Sequence, residues 1–407
     1  MSRLQKLKQQ KPISMDLNCR DIESEKDTDT VGYDVMQKDF PNEYHAAAYL
    51  GQLSDSGKKS NYITHLAISG SQSQLAAVCS DFSLSLFDWG TLKKLHSMRG
   101  HTDKVTGVRY VPGSDSVLVS SSLDGTVRQW DTRSGQMTME HSDTTLQKRK
   151  PLTCVDVNAA GRFLCAGTEV VDQDAYLVFW DVRQPMPLGG YWESHTDELS
   201  TVRFHPTDSG ALATGSTDGY VNVFDVTQTS EDDALQATLN TESSVSSVTW
   251  YERSDGRHLA VVLDTEELQL WDLQESERTA QFGRQEVAQA IRRTMSEVCY
   301  VESCHQTAEG DVLAVAGATT KEGHGCLRLL RIDGDRLTPH ALLEDSEVTQ
   351  QLVRASAFSP ATGELVTGGE GGMLTLWRPG ARPSSSQRRD AKAPTHKQRG
   401  KHKQKPY

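Results

Sequence analysis

The chain has 407 residues, a formal net charge of −12 and 36% hydrophobic residues. That length exceeds what one ordinary compact core supports, no apolar run of about 18 residues is available for a spanning helix, and the basic start MSRLQKLKQQKP lacks the apolar stretch of a secretory signal. The seven cysteines, an odd number without a C-x-x-C pair, point to reduced thiols and a nuclear or cytoplasmic, not secreted, protein.

Charge is distributed unevenly. The first twelve residues carry +4 and residues 381–407 carry +8, which leaves −24 for residues 13–380. An acidic body between two basic ends is a statement about partners rather than about fold. Residues 1–43 are polar and poor in apolar side chains, and the segment from Arg382 is rich in Ser, Gln, Lys and Arg, so both ends are expected to be disordered. This divides the chain into an N-terminal segment, 1–43, a folded body, 44–380, and a basic tail, 381–407.

Along the body a pattern recurs. Gly100 to Asp131 starts with Gly-His, passes through two alternating apolar runs, turns at Asp-Gly and ends in Trp-Asp. Blocks closing on Phe87, Trp130, Trp180, Phe224, Trp271 and Trp377 are separated by 43, 50, 44, 47 and then 106 residues, the last interval holding a weaker block centred on Leu330. Each reads as four short strands with period-two alternation. In the second block these are VTGVRYV, SVLVSSS, TVRQWD and QMTMEH, with Asp124-Gly125 turning between the second and third. The stretch RQEVAQAIRRTM, 284–295, has helical spacing and lengthens the interval before the sixth block.

A period of about 40–45 residues with four strands is the mark of propeller blades. The chain resembles the WD-repeat β-propeller family over roughly Glu43 to Gly380, with seven blades. Leu164–Arg183, the stretches from Ser194 and Gly215, and LVTGGEGGMLTLWRPG near the end are similar to one branch of that family in particular. The expected fold class is therefore all-β, a seven-bladed propeller. Residues after Trp377 cannot form the seventh blade's last strand, so Tyr44–Leu53 is expected to supply it and close the ring.

His101, Ser122 and Asp124 recur as His195, Ser216 and Asp218. A catalytic triad needs an exposed serine, a base beside it and an oxyanion site, and no nucleophile elbow such as G-x-S-x-G is present. The resemblance implies instead a buried structural chain of hydrogen bonds among His101, Ser122, Asp124 and Trp130. A shorter version is implied at His195, Ser216 and Asp218, where Phe224 replaces the indole. It implies no enzyme activity, no catalytic residues and no cofactor. Metal ligation is not expected either, since Cys299 and Cys304 lack zinc spacing. Cys154 and Cys165 are expected to face each other on neighbouring strands.

In WD propellers the loops between second and third strands share one face, the top. Here those loops carry Asp124 and Asp218, already assigned to the chains above, and further acids with no structural duty: Asp81, Glu169, Asp172, Asp174, Asp264, Glu266, Glu267 and Glu370. An acidic rim there attracts a basic peptide or protein. The alternative is that these carboxylates only solvate a surface, and Lys148, Arg149 and Lys150 on the same face weigh against the rim. The basic tail fits a nuclear or nucleolar address, weak contact with RNA phosphates, a solvated tail, or contact with the chain's own acidic body. The main functional expectation is a non-enzymatic scaffold binding protein partners, with no membrane or small-molecule substrate. The alternative is an RNA- or chromatin-associated factor using the basic ends.

Overall fold

The computed structural model describes residues 27–50, 61–143, 149–171, 174–254, 256–319, 325–343 and 351–380. They form seven four-stranded antiparallel blades, six of them built from consecutive strands over 63–98, 105–142, 152–191, 199–240, 245–282 and 299–343. The seventh takes three strands from 353–379 and its outermost strand from Asn42–Leu50. That strand pairs antiparallel with Leu374–Pro379, setting Tyr44 opposite Pro379 and Leu50 opposite Leu374. Its first three residues also pair in parallel with 341–343, the outer strand of blade six, so the two blades form one continuous sheet. Strands of the two chain ends thus share one blade, and Tyr44 adds a hydroxyl bond to the Gly363 carbonyl at 2.8 Å.

The core is divided in the way a repeat requires. Seven apolar clusters each fill the seam between neighbouring blades. Leu84, Leu86 and Val78 of blade one meet Val108, Leu118 and Trp130 of blade two. Small residues on the second strand of each blade serve these seams. A Cβ on Gly215 would lie 2.5 Å from Val245 of the next blade, and one on Gly368 2.6 Å from Ile63 of blade one. The innermost strands, not these, line the channel.

Cys154 and Cys165 share one apolar cluster but do not face each other. Cys154 stands opposite Gly167 and Cys165 opposite Asp156, so the two thiols are offset by two positions along the strand pair.

Within the stretch 284–295 only Arg284–Ala290 is helical, and it buries Val287, Ala288 and Ala290. The expectation of disorder over 1–43 does not hold from Asp27 onward. Tyr33–Asp39 is helical, and Met36 and Phe40 are almost fully buried in the seam of blades five and six, against Val287 and Ile291. Charge fixes this strap as well. Arg293 bonds Asp27 and Asp29, Arg292 bonds Asp39 at 2.7 Å, and the buried Arg328 bonds Asp29 at 2.6 Å. Residues 1–26 and the basic tail 381–407 lie outside the described residues. Among the described residues no helix is long and apolar enough to cross a membrane.

Candidate functional site

The polar chain of blade two is buried and complete. Trp130 donates its indole N–H to Ser120 Oγ at 2.9 Å, and Ser120 Oγ lies 2.8 Å from His101 Nε2. His101 Nδ1 is 2.9 Å from Asp124 Oδ2. A carboxylate only accepts, so Nδ1 carries the proton; in the neutral ring Nε2 then accepts from the Ser120 hydroxyl. Asp124 also accepts from the backbone of Thr102 and from the backbone and hydroxyl of Thr126. Burial alone raises the Asp124 carboxyl, but the bonds from His101 and Thr126 outweigh it and hold the group well below the usual carboxylate range.

The serine differs from the expectation. Ser122 is not in the chain: its hydroxyl donates to the Asp103 carbonyl at 3.1 Å and accepts from the Asp124 N–H. Blade four repeats the correction. His195 Nδ1 meets Asp218 at 3.0 Å, and its Nε2 meets Thr214 Oγ1 at 2.8 Å rather than Ser216. Ser216 binds the Asp197 carbonyl and the Asp218 N–H, the same turn-holding pair. Both hydroxyls sit on the correct face, since residues two apart on a strand point the same way, and only reach separates them. The true partner lies ten residues before the aromatic position in both blades, and Trp377 donates to Thr367 at the same offset in blade seven. In blade four, where the indole is absent, Asn222 donates to the Ser194 carbonyl at 2.7 Å and lies 3.3 Å from His195 Nε2.

The acids of the top face do not form one even rim. Glu370 pairs with Arg354 at 2.6 Å and is neutralised there. Glu267 accepts from Gln281. Asp174 is exposed and exchanges backbone bonds with Val171, and Asp172 lies outside the described residues. Asp264 and Glu266 line a cavity of about 700 Å³ with Arg284, Glu297, Glu302 and Arg354. Partial burial raises the Glu266 carboxyl above its ordinary value, with Asp264 adding to the rise while Arg284 and Arg354 oppose it.

Sequence reasoning missed Glu198, on the loop entering blade four. Burial raises its carboxyl, and the negative charges of Glu169, Asp197 and Asp264 raise it further against Lys104. Carboxylates of blades three, four and five therefore act on one another across the face. The cations that weighed against an acidic face are largely committed. Lys150 lies 3.6 Å from the Tyr176 ring centre, beside Asp143, and Arg149 bonds Glu140 at 3.2 Å; Lys148 is outside the described residues.

Below the face runs the channel, a cavity of about 740 Å³ walled by the innermost strands. Several of its polar groups are paired within the wall. Arg109 bonds Asp156 at 2.9 Å, and Glu302 accepts from Ser303 and Ser356. Burial pushes the imidazoles of His65 and His305 down to about 4, so both are neutral near pH 7. Among the described residues no cluster of three or more His, Cys, Asp or Glu side chains is placed to hold a metal.

Seven blades with inter-blade cores and two histidine–hydroxyl–aspartate chains give the chain the fold of a WD-repeat β-propeller. The family model for the WD domain, G-beta repeat, matches residues 92–131 and 188–225, the blocks around those two chains. Proteins of this family typically act as protein-interaction scaffolds and are generally non-enzymatic. Over 325 residues the chain is 25% identical to the WD repeat-containing protein 89 homolog of Dictyostelium discoideum, covering 79% of this chain and 84% of that one. It is likewise 25% identical over 329 residues to WD repeat-containing protein GTS1 of Arabidopsis thaliana, covering 78% and 81%. A guanine nucleotide-binding protein subunit beta of the same plant is 31% identical over 157 residues, covering 37% and 40%.

Proposed function

We propose that the protein is a non-enzymatic interaction scaffold that takes a Lys- or Arg-bearing segment of a partner protein on its top face. The observation that supports this reading is the negative charge of Glu169, Asp197 and Asp264 acting on Glu198, carboxylates from three blades opposed at that position by Lys104. A cationic side chain placed among them relieves that repulsion, and the surrounding field steers its approach. Asp124 and Asp218 are spent on their histidines and Glu370 on Arg354, so the contact centres on blades three to five, with Asp174 and Glu266 at its border. The same assignment accords with the family's habit of assembling with other proteins, as the name of the guanine nucleotide-binding subunit shows for that relative.

Affinity purification followed by mass spectrometry, with the wild type beside a Glu198→Lys/Asp264→Lys variant, tests the proposal. A partner set lost in the variant and retained after nuclease treatment supports it. A set indifferent to the charge reversal counts against this face. A second reading draws on the nine Lys and Arg residues of 381–407, which suit RNA phosphates and a nuclear location. It requires the partner set to vanish on nuclease treatment and on deletion of that tail.

A further inference from the structure

On the circumference of the ring, between blades three and four, lies a second groove, of about 640 Å³. Its wall is the outer strand of blade three, Pro187–Tyr191, which pairs only with the strand inside it and leaves its other edge open. Leu188 and Trp192 stand 56% and 52% exposed along this wall. Phe163, Phe179 and Phe204 contribute to the lining, and Phe179 is locked edge-on to Tyr191 at 4.9 Å between ring centres. An exposed indole beside an exposed leucine over an aromatic floor is costly in water and is what binding surfaces concentrate.

The groove is pre-organised. Glu231 accepts from the backbone N–H groups of Trp192 and Glu193, at 2.8 and 3.0 Å, and from the Ser194 hydroxyl, so the indole's backbone is pinned to blade four. Gly190 is needed beneath the ring, because a Cβ there would stand 2.5 Å from the Leu177 carbonyl and 3.0 Å from the indole. The polar end carries the exposed carboxylates of Glu193 and Asp232, and no Lys or Arg lines the groove among the described residues.

From this juxtaposition we infer that the groove docks a short segment of another protein that presents a large apolar side chain next to a Lys or Arg. The apolar side chain covers Trp192 and Leu188, and the cation meets Glu193 and Asp232. The chain's own basic tail fits poorly, since Tyr407 is the sole large aromatic or aliphatic side chain within 381–407. The N-terminal residues do combine Leu4 and Leu7 with Arg3, Lys6 and Lys8. To reach the groove, however, they must cross two of the seven blades from Asp27, which Arg293 anchors beside the seam of blades five and six. A segment from a partner has no such path to cover.

The test is selection of a displayed random-peptide library on the full-length chain, followed by titration of the enriched peptides. The expected consensus is Leu, Ile, Met or Phe beside Lys or Arg. Binding should weaken at least tenfold in Trp192→Ala and Leu188→Asp, and severalfold in Asp232→Lys, while Glu198→Lys on the top face leaves it unchanged. Both apolar positions are half-exposed, so unchanged melting temperatures are expected and separate lost binding from lost folding. Failure to enrich peptides, or enriched peptides indifferent to Trp192 and Leu188, would overturn the proposal. So would enrichment seen only with a chain lacking residues 1–26, since the groove would then belong to the chain's own N-terminus. Loss on Glu198→Lys alone would assign the peptides to the top face and leave the groove without an occupant.

Discussion

Trp130 reaches across its blade to Ser120, 2.9 Å from indole nitrogen to hydroxyl oxygen, and passes over the nearby Ser122. Ser120 in turn meets His101, whose other nitrogen meets Asp124, so one serine joins a third-strand aromatic to the turn below the top face. The consequence is a specific pattern of coupling. Ser120→Ala leaves a buried indole N–H without its acceptor, a loss of about 1–3 kcal/mol. Trp130→Phe and Ser120→Ala should be coupled by more than about 0.5 kcal/mol in a double-mutant cycle, whereas Trp130→Phe and Ser122→Ala should be additive within that margin. Urea denaturation of the five variants and the wild type measures both. Additivity for the first pair would show that the indole bond carries no weight.

The same chain makes stability depend on acid. Asp124 is held below its ordinary value, and Asp218 is held down likewise by His195 and by backbone N–H groups, against the opposing effect of burial. For a carboxyl depressed on folding, the unfolded state takes up protons first as pH falls. The contribution is therefore complete above about pH 4, near the unfolded carboxyl's value, and is lost as pH falls below it toward the folded value. Asp124→Asn should accordingly cost most at neutral pH. Its difference from wild type in chemical denaturation should narrow below pH 4, and a difference constant from pH 7 to pH 3 would contradict the assignment.

The N-terminal region should divide sharply in its effect on stability. Deleting residues 1–40 removes Met36 and Phe40 from the seam of blades five and six, where both are almost fully buried. Replacing either by Ala alone should cost about 2–5 kcal/mol. Deleting 1–50 takes the outer strand of blade seven as well and bares the strand holding Leu374, Leu376 and Trp377. Such an exposed apolar edge favours association. Size-exclusion chromatography and thermal melts of the two truncations should show a lowered melting temperature in the first and oligomers in the second.

What was legible in the sequence follows from how local each signal is. Blades announce themselves through alternation, Asp-Gly turns and a closing aromatic within some forty residues, and even the ring-closing strand shows as a strand-like run with no blade of its own. The serine was misplaced because Ser120, Ser121 and Ser122 are consecutive and alternation permits two of them. Only the ten-residue offset to the aromatic, shared with Thr214 and Thr367, separates the candidates. The strap was missed because its partners lie far away in sequence, 253 to 299 positions for the ion pairs of Asp39 with Arg292 and Asp29 with Arg328. Composition reports a polar, charged stretch and says nothing of cations waiting elsewhere. Glu198 escaped for a similar reason: it lies on a loop between blades, and its significance rests on Glu169 and Asp264 approaching from neighbouring blades.

Repulsion among those carboxylates gives the last prediction. Burial raises the Glu198 carboxyl first, and Glu169, Asp197 and Asp264 raise it further. A carboxyl raised on folding is protonated more readily in the folded state, so its ionisation opposes folding as pH rises through the unfolded value near 4 toward the folded value. Glu198→Gln removes that penalty and should leave the protein as stable as the wild type or slightly more so at pH 7, the gain shrinking below pH 4. Lys104→Ala removes the cation that opposes the repulsion and should move stability the other way. Partner capture should weaken in Glu198→Gln even as stability is kept, and added salt should erode the difference, because screening acts on exposed charges. Differential scanning fluorimetry across pH and binding titrations across ionic strength read the two effects separately. A Glu198→Gln protein clearly less stable than wild type at pH 7 would mean that the carboxylate is a structural group rather than one held in reserve for a cation.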